Sequence, residues 1–101
     1  MSREAVRVVR PVNDRIGFWQ SESIRLVTSA ERLRQSGRHD PGLLEGMHAL
    51  LGSIEELARQ FEASLDGVPS DVAGHSRIED TRRALRTIAA RLHNELPKAG
   101  V

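Results

Sequence analysis

The chain has 101 residues, 39% of them apolar and 29% charged, with a formal net charge of +1. That describes one domain with a single thin core and no global charge bias toward nucleic acid or an acidic surface. It has no cysteine, which excludes disulfide frameworks, thiolate metal sites and cysteine nucleophiles.

Residues 1–12 read as an extended arm or a loose first turn. Val6, Val8 and Val9 suggest a short apolar stretch that Pro11 interrupts. The first clear helix is predicted over about 14–36, with Asn13 or Asp14 as its cap. Ile16, Trp19, Ser23, Leu26, Ala30 and Leu33 recur at alternating spacings of three and four, the seam of a helix packed at a small angle. Arg32 and Arg34 suit the negative end of the helix dipole, and Gly37 stops the helix.

The second helix is predicted over about 41–65. Asp40 is a good N-cap, and Pro41 fits the first helical position, where its missing N–H costs nothing. Leu43, Met47, Leu51, Ile54, Ala58, Phe61 and Leu65 share one face, which Leu50 and Leu57 widen on one side and Leu44 on the other. That face is broader than one neighbour covers, so this helix is expected at the centre.

A loop over 68–75 leads to a third helix, predicted over about 76–96. Ser76-Arg-Ile-Glu79 reads as a capping box; Ile78, Thr81, Leu85, Ile88, Leu92 and Leu96 form the stripe; Pro97 ends it, leaving 98–101 as a frayed tail. The expectation is therefore all-α: an antiparallel bundle of three main helices spanning 13–97, preceded by an N-terminal arm. The scarcity of aromatics (Phe18, Trp19 and Phe61, with no tyrosine) favours helices over sheets.

Charge is unevenly distributed. Residues 1–38 carry eight Arg against four acids, 39–74 one Arg against seven acids, and 75–101 six basic residues against three acids. A basic–acidic–basic order lets an antiparallel bundle set opposite charges side by side, which weakens the case for nucleic acid as a partner.

Candidate contact residues follow from this layout. Gly42, Gly46, Ala49 and Ser53 form a strip of small residues on one flank of the second helix, and Gly52 lies near the other. Glycine inside a helix costs about 1 kcal/mol relative to alanine, so a close helix neighbour is expected, in this chain or in a second copy. Leu50 and Leu57 on the broad flank, and Phe18 and Trp19 on the first helix, are further candidates for a protein interface. Arg82, Arg83 and Arg86 on the third helix are the alternative, a phosphate-contacting stripe.

The stretch His48-Ala-Leu-Leu-Gly52-Ser53 resembles the active-site motif of histidine phosphotransfer domains, which are helical bundles of about this size. The resemblance implies that His48 accepts a phosphoryl group. Leu51 stands where that family carries a lysine. Glu45 and His48 have the Glu-x-x-His spacing of carboxylate-bridged di-iron bundles, without the further glutamates or a second copy of the motif. Ser53 to Phe61 resembles the first helix of helix-turn-helix domains, with Glu62 in place of the turn glycine.

No nucleophile, base and orienting group share a useful spacing, and no glycine loop follows a strand to cradle phosphate. The expected protein is a non-catalytic contact or regulatory module, forming a homodimer or binding another protein. No cofactor, metal or small-molecule ligand is expected. The first residues lack the apolar run of a signal peptide and no stretch approaches the ~20 apolar residues that span a bilayer, so a cytoplasmic location is expected.

Overall fold

The computed structural model describes residues 3–38, 40–68 and 71–99. Three helices account for almost all of them: α1 (Arg3–Gln35), α2 (Pro41–Ser64) and α3 (Val72–Ala99). They pack mutually into an up-down-up bundle measuring 51 × 18 × 17 Å. The 33 residues of α1 run its whole length, since ~1.5 Å of rise per residue gives about 50 Å.

The main correction concerns the start of the chain. The arm expected over 1–12 is helical from Arg3 onward and continuous with α1, and Met1 and Ser2 lie outside the described residues. The seam simply extends backward: Val9 and Val12 are buried and continue the three–four spacing into Ile16. Pro11 lies between them on the exposed side of the helix. Its ring forfeits one backbone hydrogen bond, a local cost that the burial of two valines on adjacent turns offsets. Neither Asn13 nor Asp14 is a cap.

The ends of α1 and α2 follow the sequence signals. Gly37 has φ 71°, and beyond it the Arg38 N–H donates to the Leu33 carbonyl (2.8 Å) while the Gly37 N–H donates to that of Arg34 (3.0 Å). This is the Schellman arrangement, in which a left-handed residue turns the chain back over open carbonyls. Asp40 then caps α2, its Oδ1 accepting from the Gly42 N–H at 2.9 Å, with Pro41 at the first helical position.

Both boundaries of α3 differ from expectation. Asp71 is the cap, accepting from the Gly74 N–H at 2.7 Å, so the helix starts at Val72 and Ser76 lies exposed within it. Bonding from Gly74 holds the Asp71 carboxyl below its ordinary range. At the other end, the helix passes through Pro97 to Ala99, so Lys98 and Ala99 are helical; Gly100 and Val101 lie outside the described residues. A proline so near the end costs only one of the last bonds.

The core is one cluster, from Val9 and Val12 through Met47, Ile54 and Phe61 to Ile88, Leu92 and Leu96. Leu50 and Leu57, expected as possible interface residues, belong to it: α1 covers them down to 9% and 8% exposure. Thus the broad face of α2 is covered within one chain.

Polar groups cross the α1–α3 seam at three levels. Thr81 Oγ1 lies 2.9 Å from Asn13 Oδ1, Arg91 Nη1 donates to Ser23 Oγ at 2.9 Å, and Arg34 Nη1 sits 3.0 Å from Glu95 Oε1. Ser23 is wholly buried and Glu95 is 3% exposed. Glu95 Oε1 makes no directed hydrogen bond, so its pairing with Arg34 is ionic. The first two contacts share an offset of 68 residues, which sets α1 and α3 parallel and in register from their first turns.

This burial generates a stability prediction. Val9→Ala combined with Val12→Ala should lower unfolding free energy by about 2–4 kcal/mol, because each change removes buried methyls and leaves a void. In a loose arm the same changes would stay within about 0.5 kcal/mol. The shift of the urea midpoint distinguishes the two.

Candidate functional site

With α1 on one side of α2 and α3 on the other, α2 buries Met47, Leu50, Leu51, Ile54, Leu57 and Phe61 and turns its remaining face outward. Glu45, His48, Ala49, Gly52, Ser53, Glu56 and Arg59 are all exposed there. Along the α1–α2 seam runs a shallow trough. One half is lined by Arg25, Leu26, Gly42 and Gly46, the other by Arg15, Trp19, Gly52 and Gln60; Ala49 and Ser53 line both.

The glycines of this face have no internal justification. A methyl placed on Gly52 would meet nothing within 4 Å, and one on Gly46 would meet only Leu26 Cδ2 at 3.8 Å, an ordinary contact. Each therefore carries the helix cost of glycine, about 1 kcal/mol, with no neighbour in the chain close enough to require it. Gly42 differs: its substituent would come within 3.3 Å of the capping Asp40 Oδ1.

Of the two aromatics on α1, Trp19 is half-buried at the edge of the trough and packs on the core. Phe18 is 67% exposed, the most exposed of the large apolar side chains among the described residues. The candidate interface residues thus divide. Phe18, Gly42, Gly46, Ala49 and Ser53 lie at or near the surface; Trp19 lies at its margin; Leu50 and Leu57 form the covered floor.

His48 is exposed on the outward face, one turn before the open Gly52. Leu51, which occupies the lysine position of the phosphotransfer motif, is part of the core. Among the described residues no three His, Asp or Glu side chains gather as a metal set would. His39 lies outside the described residues, and His75 is exposed. His93 reaches from α3 to Glu55 on α2, with Nε2 3.2 Å from Oε1.

The three candidate arginines of α3, Arg82, Arg83 and Arg86, do not form one patch. Arg82 bridges Glu79 on its own helix and Glu62 on α2, its Nη2 donating to Glu62 Oε2 at 2.8 Å. This clamp raises the Arg82 pKa further above its ordinary value. Arg86 lies beside it, along an apolar slot floored by Ile54, Ala58, Leu85 and Ala89. Arg83 faces the other way, toward Gln20 of α1, 3.8 Å from Asp80. Two of the acids of α2 therefore meet α3, through Glu62–Arg82 and Glu55–His93.

Ser23 is buried in the seam where the spacing predicts it, whereas the burial of Glu95 is not among the sequence expectations. Glu95 nevertheless occupies a seam position, since 78, 81, 85, 88, 92 and 95 keep the three–four spacing. Leu96, one residue on, is also buried, and its hydrophobicity draws the pattern to itself.

The hydrogen bond from Arg82 holds the Glu62 carboxyl below the ordinary carboxylate range. A carboxylate with a depressed folded-state pKa stabilises the fold above its unfolded value and loses that contribution as the pH falls through the folded one. Glu62→Gln should accordingly cost up to about 1 kcal/mol near neutrality, the range for an exposed pair. The gap from the parent protein should close as the pH is taken below the carboxylate range, read by thermal melts at each pH.

No helix among the described residues is long and apolar enough to cross a membrane. Compared with protein-family models, curated proteins and solved structures, the chain matches none.

Proposed function

We propose that this protein is a non-catalytic helical contact module that associates through the outward face of α2, in the first instance with a second copy of itself. The observation that carries this reading is the pair of helix-interior glycines, Gly46 and Gly52, that no part of the chain approaches closely enough to require. A helix axis brought near that face would gain from the missing side chains what the single chain loses by them. Two further features support it. The adjoining trough is open along the α1–α2 seam, and Phe18 on α1 offers an exposed aromatic of the kind that anchors interfaces.

The reading concerns contact, not chemistry. Arg82 is committed to two carboxylates, which weighs against its use in a phosphate-contacting stripe.

Light scattering across a dilution series tests the proposal. The parent protein should show twice the chain mass at high concentration and fall toward the monomer on dilution. Ala49→Arg places a long charged side chain on the exposed face without touching the core, so it should give a monomer with unchanged helicity and melting temperature. A parent protein that is monomeric at every concentration overturns the reading.

A further inference from the structure

The outward face of α2 carries its charges in an order that is complementary to itself. Glu45, His48, Gly52, Glu56 and Arg59 are all exposed and stand seven and four residues before Gly52, and four and seven after it. At 100° per residue they fall within one narrow sector of the helix, with Gly52 at its midpoint.

We propose that two copies pair α2 against α2, antiparallel, with a two-fold axis passing through Gly52. This rests on the self-association reading above and specifies its geometry. Residue 52 then meets its own counterpart, and every other residue meets the one equally far on the opposite side. Glu45 faces Arg59 of the second copy, and His48 faces its Glu56. Within one chain Glu56 is already paired with Arg59 one turn on. The two copies thus assemble a square of alternating acid and base on each side of the axis.

The charge order favours this arrangement over the parallel pairing and over a neighbouring antiparallel register. A parallel pairing would set Glu45 on Glu45 and Arg59 on Arg59. An antiparallel pairing shifted to centre between Leu50 and Leu51 would set Glu45 on Glu56, again like on like. Centred on Gly52, Glu45 faces Arg59 and the His48 imidazole faces Glu56, and the like-charge contacts of the two other arrangements disfavour them. Gly52 supplies the other requirement. With nothing within 4 Å of where a side chain would stand, the two axes can cross closer than the usual 8–10 Å. Glu55, on the α3 side, is engaged by His93 and stays outside the contact. The resulting interface is isologous and closes at two chains, so it yields a dimer, not a filament.

Charge reversal tests the register. Glu45→Arg and Arg59→Glu alter only exposed side chains, and circular dichroism confirms that each variant keeps the parent helicity. Each single reversal should turn the dimer into a monomer in light scattering at concentrations where the parent is dimeric. The double variant Glu45→Arg/Arg59→Glu should restore the dimer mass, because the pair is then reversed on both chains. If the parent is dimeric and the single reversals leave its mass unchanged, or the double variant stays monomeric, this register is overturned while self-association stands. A parent that never dimerises removes the self-association reading itself, and this geometry with it.

Discussion

The parallel seam between α1 and α3 is the constraint on which the rest of the bundle depends. Apolar helix faces slide past one another at little cost, because one methyl is much like the next. The wholly buried Ser23 hydroxyl does not slide: it must stay opposite Arg91, and Asn13 must stay opposite Thr81. A register shift would break both links, leaving Ser23 and Thr81 only their bonds to the Gln20 and Arg77 carbonyls of their own helices and taking the Ser23 acceptor from the half-buried Arg91. Glu95 adds a third fixed point nearer the other end, where the Arg34 guanidinium compensates its burial.

Once α1 and α3 are fixed side by side, α2 has one place left, antiparallel in the groove between them. Its ion pairs then follow from position. The Glu62–Arg82 clamp and the Glu55–His93 contact both lie on the α3 side. Being partly or wholly solvated, they add little to stability and more to choosing which flank of α2 faces α3. The outward face is left without structural duties, and Gly46 and Gly52 open onto it, as Gly17 opens outward from α1.

Much of this was legible in the sequence. The seams of α1 and α2, the Asp40-Pro41 start and the Gly37 stop are local signals, and local signals survive folding. What misled was also local. Pro11, Pro97 and Ser76-Arg-Ile-Glu79 each read as a helix boundary, and each is overridden: by the burial of Val9 and Val12, by nearness to the helix end, and by an earlier cap at Asp71. A cap signal states where a helix is able to begin; packing decides where it does. The outward face of α2 was half legible. The small-residue strip was visible, but its openness was not, because distance to the nearest neighbour in the fold is absent from any one-dimensional pattern. Leu50 and Leu57 show the converse: apolar width alone does not separate a core residue from an interface residue.

Trp19 is the chain's single tryptophan, there is no tyrosine, and its ring lies half-buried beside the trough next to Leu57, Gly52 and Ser53. Its indole emission therefore comes from one place, at the border between the protein's interior and the face proposed to receive a partner. The position and quenching of that emission report the wetting of the α1–α2 seam, with no other strong emitter to dilute the signal. The fold thus carries its own optical gauge of whether that border is covered.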